Sequence, residues 1–178
     1  MRTSGRAVIA LNAIVTVAAI GLACRTVNRA DDSGRLVIRS HQILMAADEA
    51  MRPLLEAESW ERAYLLTHTQ DDLAAYNRAH DSVEAPVDSL AEILRQEGQG
   101  ATTERLRAEI ARSLAAFDVM VEQGRAGRPI DPAARTTARA TIEAVRTSMR
   151  ALRQNENNNL SERLRVDAKA GRLVNWIA

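Results

Sequence analysis

The sequence predicts an all-α protein, an antiparallel four-helix up-down bundle preceded by an N-terminal transmembrane helix. Three observations predict it. Ala, Leu, Arg and Glu dominate, while aromatics are only 3% of the 178 residues. That is helix-forming composition and poor material for a β-sandwich or barrel. The N-terminus holds a long uncharged run. Beyond it, apolar residues recur at helical spacing between glycines that act as punctuation.

Charge and composition exclude several functions. The chain has 24 basic and 23 acidic residues, for a net charge of +1. Arg2 and Arg6 are the only charges before Cys24, so the remainder is close to neutral. No basic field is available to hold nucleic acid. One cysteine rules out an internal disulfide, and three histidines beside it make most metal sites improbable. No Ser-His-Asp set, paired carboxylates or phosphate loop stands out. The expectation is therefore a non-enzymatic protein with no cofactor and no metal.

Residues 1–6 read as a cytoplasmic N-terminus and residues 7–24 as a transmembrane helix or signal anchor. Ala7 to Ala23 is 17 residues without a charge, at the lower limit for spanning about 30 Å of hydrocarbon. A cleaved signal is the alternative. Ile20-Gly21-Leu22-Ala23-Cys24 is similar to a bacterial lipoprotein cleavage box, with Cys24 as the lipidation site. Residues 173–178, which contain Trp176, are either the start of a second transmembrane helix or the end of a soluble one.

Residues 35–170 form the main domain, with four helical runs. The first spans about Gly34 to Leu66. One stripe is Leu36, Ile43, Ala47, Ala50, Leu54, Ala57 and Tyr64; a second is Val37, Leu44, Met51, Leu55 and Leu65. A face that broad packs against more than one partner, and Pro53 inside it predicts a bend. The second run spans about Gln70 to Gln96, with a 3-4 seam of Leu73, Tyr76, His80, Val83, Val87, Leu90 and Leu94. Thr69 and Asp72 resemble a capping box at its start, and Pro86 predicts a kink. The third covers about Thr103 to Glu122 after the turn Gly98-Gln99-Gly100. The fourth starts at Asp131-Pro132, an N-cap followed by proline at the first helical position. It carries Ala138, Ile142, Val145, Met149 and Leu152, then polar Glu156 and Asn159, and continues to about Ala170.

Residues 57–67 read Ala-Glu-Ser-Trp-Glu-Arg-Ala-Tyr-Leu-Leu-Thr. They resemble the signature of type three of the CHASE family, whose pattern runs roughly A-E-T-G-Q-R-G-Y-L-L-T-G. Ala57, Glu58, Arg62, Tyr64, Leu65, Leu66 and Thr67 match. Ser59 stands for Thr, Glu61 for Gln, and Trp60, Ala63 and His68 for three glycines. Downstream, Leu73 and Tyr76 fit the family's Y-L-x-x-Y stretch. Ile142 to Arg146 and Met149 to Glu156 resemble its closing I-R-x-x-M-x-x-x-E segment. The resemblance implies a four-helix extracellular sensory domain of a bacterial signalling receptor. It places the main domain in the periplasm, anchored in the inner membrane. It further implies a homodimer that responds to a small-molecule or protein signal. The chain carries no kinase or cyclase motif, so output would come from a longer parent or a separate signalling partner. A periplasmic helical lipoprotein acting as a scaffold is the rival reading.

Glu58, Arg62, Tyr64 and Thr67 of that motif, with Glu156, are the candidate ligand-binding or signalling residues. Glu58 and Arg62 are spaced i, i+4 in the favourable order. They read as a solvated pair, as a partly buried pair in which Arg62 also meets Glu156, or as a ligand contact. His80 reads as a core histidine or as a pH-sensing group.

Overall fold

The computed structural model describes the backbone of residues 4–175 and the side chains of residues 35, 37–162 and 165. The described residues form helices α1 (Ser4–Thr67), α2 (Gln70–Asp81), α3 (Glu84–Gln96), α4 (Gly100–Arg125) and α5 (Pro132–Asn175). Among them there is no strand. The protein divides into two compact units, one of residues Met1–Arg39 with Leu160–Ala178, the other Ser40–Asn159. The first takes in the beginning of α1 and the end of α5. The second holds the core.

Two expected breaks are absent. The backbone of α1 is helical through Gly34, and that of α5 through Gly171. A single glycine costs about 1 kcal/mol in a helix interior, too little to stop a run of good helix formers. No helix among the described residues is long and apolar enough to cross a membrane. The side chains of residues 7–24 and 173–178, on which the anchor and second span were placed, lie outside the described residues.

In the second unit the predicted seams become the core. Ile43, Ala47, Ala50, Leu54, Ala57 and Tyr64 of α1 are buried, as are Leu73 and Tyr76 of α2 and Leu90 and Leu94 of α3. Leu106, Ile110, Phe117 and Val121 of α4 and Ala138, Ile142, Val145, Met149 and Leu152 of α5 complete one apolar cluster. Each large side chain removed from water contributes about 1.5–3 kcal/mol. The second stripe of α1 is shallower: Met51 is buried but Leu55 is exposed.

Polar contacts set the directions. Ser40 donates to Glu156 at 2.9 Å and Arg146 to Glu58 at 2.6 Å, so α1 and α5 run antiparallel. Tyr76 donates to Asp118 at 2.7 Å, and Arg107 pairs with Asp88. Hence α4 runs antiparallel to both α2 and α3.

The second predicted run is two helices. The break falls at Ser82, four residues before Pro86. A proline ring clashes with the carbonyl four residues back and donates nothing to it. With the break there, Pro86 sits in the first turn of α3, where no intrahelical donor is required. By contrast, α1 is continuous through Pro53.

The helix ends follow capping chemistry. Gly98 and Gly127 take φ of 73° and 63°. Gln99 N donates to Leu94 O at 2.9 Å and Arg128 N to Gln123 O at 2.9 Å, the six-to-one bonds of Schellman motifs. Asp131 caps α5 by accepting from Ala133 N at 2.9 Å.

Candidate functional site

A groove of about 550 Å³ opens between α1, α4 and α5. Phe117, Met120, Ala138 and Ile142 supply apolar lining, and Leu65 and Leu66 flank it. Glu58, Glu61, Arg62, Arg135 and Arg139 supply the charge. The α1 residues share a face because they recur at three- and four-residue intervals.

Glu58 anchors the site. Its side chain is 6% exposed, and its two oxygens are taken by Arg62 of the same helix and Arg146 of α5. The partly buried version of the expected ion pair is therefore found, with a different third member. Arg62 does not meet Glu156. Its side chain is 68% exposed and its position is at the groove's rim. Glu156 is buried farther along α5, where it accepts from Ser40 at 2.9 Å and from Gln99 at 3.3 Å. Glu156 lies well beyond Arg146 along α5, which is why one arginine cannot serve both acids.

Glu61 is the residue that sequence reasoning missed. It is 2% exposed, and its Oε1 is buried without a hydrogen-bond partner. Burial pushes its carboxyl from 4.5 up to about 7, against the pull of Arg62 and Arg135. The signal was present: Glu61 continues the 3-4 spacing of Leu54, Ala57 and Tyr64, so it had to face inward. Arg135, Arg139 and Arg146 were missed because they sit on the polar side of α5's seam, where arginine is ordinary. The guanidinium groups of Arg135 and Arg139 make no hydrogen bond or close ion pair among the described residues, and act only at longer range, Arg135 on Glu61 and Arg139 on Glu143.

The other predicted residues lie elsewhere. Tyr64 is in the core, edge-on to His68 at 5.8 Å. It packs where α1 crosses Gly124, at which an added Cβ would come within 2.9 Å of Leu65. Gly124 is thus a close-contact residue inside α4. Thr67 is a capping group. It accepts from Thr69 N at 3.2 Å, and its hydroxyl donates to Asp72. That bond first, and one from Thr69, hold the Asp72 carboxyl below its usual range. Thr69 accepts from Asp72 N at 3.3 Å, which is one half of the expected capping box; the return bond does not form, because Thr69 N donates to Thr67 instead.

His80 is not a core residue. Ala79 and Val83 take the inward positions, and the His80 side chain is half-buried, with Asp118 and Asp81 each at 3.5 Å. It borders a second cavity of about 520 Å³ at the α2–α3 break. Burial and the bond to Asp118 raise the pKa of neighbouring Tyr76. The Cys24 side chain lies outside the described residues. Among those described, no group of His, Cys, Asp or Glu is arranged to hold a metal ion.

A family model, the CHASE3 domain, matches residues 33–165. The chain belongs to the CHASE3 domain family. CHASE3 domains are extracellular sensory modules of signalling receptors. No curated protein and no solved structure matches the chain. Of the CHASE3 motif at residues 57–67, Glu58, Glu61, Arg62, Leu65 and Leu66 line the groove, whereas Tyr64 and Thr67 build the core and the α1–α2 turn.

Proposed function

We propose that this chain is the membrane-anchored, extracytoplasmic sensory module of a bacterial signalling receptor, and that the groove between α1, α4 and α5 is where its signal is read. The observation that carries this reading is the coincidence of the CHASE3 motif with the groove's charged wall. Residues 40–159 act as an antiparallel four-helix bundle, with α2 and α3 as one bent arm. An N-terminal membrane helix at residues 7–24 holds that bundle in the periplasm, at the inner membrane. The chain performs no catalysis and works as a homodimer, with output from a signalling domain or partner. Occupation of the groove biases the packing of α1 against α5, and packed helices switch by small shear displacements.

A membrane-impermeant maleimide tests the placement. In a Cys24→Ser background, Arg128→Cys puts a thiol in the exposed α4–α5 turn. Labelling in intact spheroplasts is the expected result. Labelling only after the membrane is broken overturns it. The lipoprotein scaffold remains the second reading for the anchor, and the intact mass of the purified chain separates the two: a product beginning at lipidated Cys24 favours it.

A further inference from the structure

The groove's lining is amphipathic and its charges do not cancel. Glu58 is matched by Arg62 and Arg146. Arg135 and Arg139 have no acid bound to them, and Glu61 is held largely protonated below neutral pH. Apolar surface from Phe117, Met120 and Ile142 lies beside this surplus of positive charge. A volume of about 550 Å³ is that of a small-molecule site, in which an apolar lining supplies burial and a few polar groups fix orientation.

We propose that the groove binds a small organic monoanion, a carboxylate head on a compact apolar tail, with the head on Arg135 and Arg139 and the tail on Phe117, Met120 and Ile142. The inference rests on the sensory reading above and names its ligand chemistry. Arginine's planar fork suits a carboxylate in two-point contact. Glu61 completes the site as a donor. Protonated, it gives the unpartnered carboxyl a hydrogen-bond acceptor in the bound head; ionised, it repels the head. The groups around it are Glu58 and Arg62 on α1, Tyr76 on α2, and Arg135 and Arg139 on α5. From α4 come apolar Phe117 and Met120, since Asp118 is bound by Tyr76. A cationic ligand is disfavoured because both oxygens of Glu58 are already taken by arginines.

Aliphatic and aromatic acids share this chemistry, and hexanoate and phenylacetate distinguish them. The full chain in lipid nanodiscs is titrated calorimetrically with each, with empty nanodiscs as the blank and hexylamine and hexanol as controls. At pH 6 at least one acid is expected to bind once per chain. The double variant Arg135→Ala/Arg139→Ala, which alters only exposed side chains and breaks no hydrogen bond or close ion pair, should weaken it about tenfold or more. Between pH 6 and 8 a carboxyl titrating near 7 loses about nine-tenths of its protons, while the ligand's own carboxyl stays ionised. Wild-type affinity should therefore fall about tenfold, and that of Glu61→Gln should stay level. The proposal is overturned if neither acid binds, if hexylamine or hexanol binds as tightly, if the arginine variant keeps its affinity, or if Glu61→Gln retains the pH slope. Maleimide labelling reads placement without any ligand, so a failed ligand class and a failed sensory reading give different results.

Discussion

Glu61 is a carboxyl that folding takes out of water without a hydrogen bond to its Oε1. In the unfolded chain it ionises near 4.5; in the fold it keeps its proton to about 7. The folded state binds the extra proton between those values, so stability falls as pH rises through that window and levels off above it. The loss is at most about 3 kcal/mol. Glu61→Gln keeps the shape and removes the titration. It should melt like wild type at pH 5 and above wild type at pH 8. Equal melting at both values would show that the carboxyl is solvated. Glu58 makes a second comparison. Arg146 is partly buried against it, while Arg62 is mostly exposed. Arg146→Ala should cost about 2 kcal/mol, less than a fully buried pair because Arg62 remains. Arg62→Ala should cost under about 1 kcal/mol. Urea denaturation of both variants reads the order, and the reverse order refutes the assignment of Arg146 as Glu58's main partner.

At the scale of elements, the α1–α2 turn gives His68 a role in the backbone. His68 has φ of 54°, and its N donates to Tyr64 O at 2.8 Å. That is the left-handed C′ position of α1, where the family pattern carries glycine. A side chain there costs about 1–2 kcal/mol, partly offset because glycine has more freedom to lose on folding. His68→Gly should therefore raise stability by about 0.5–1 kcal/mol, measurable as a higher melting temperature; a lower one would mean that the Tyr64 ring contact outweighs the backbone. The helix seams were legible because burial on one face imposes a 3-4 period on the sequence. The α2–α3 break was legible only as a kink at Pro86, since sequence marks the proline and not the carbonyl it displaces. Register was the least legible quantity. Nothing local in the chain says that Arg146 rather than Glu156 stands opposite Glu58.

At the scale of the whole molecule, the apolar cluster lies within Ser40–Asn159. A chain of residues 35–170 is accordingly expected to fold by itself, with strongly helical circular dichroism and one cooperative thermal transition. A non-cooperative melt would mean that the core needs residues beyond those bounds. Fold class and family were readable from composition, period and one eleven-residue motif. The groove was not, because it is made where three helices meet, and two of its arginines carry no pattern that separates them from the other surface bases.

The pairing of α1 with α5 also sets an order of events during folding. Ser40 and Glu156 are 116 residues apart in the chain, whereas Arg107 and Asp88 are 19 apart. Closing the longer loop costs about 1.6 kcal/mol more. Helices α3 and α4 should thus zip early, with α1 and α5 meeting after the rate-limiting barrier. Glu61 loses its water only at that late meeting, so its proton is not yet at stake at the barrier. Raising the pH from 5 to 8 should then accelerate unfolding and leave the refolding rate nearly unchanged. Stopped-flow chevrons at the two values distinguish this from an early α1–α5 contact, which would slow refolding instead.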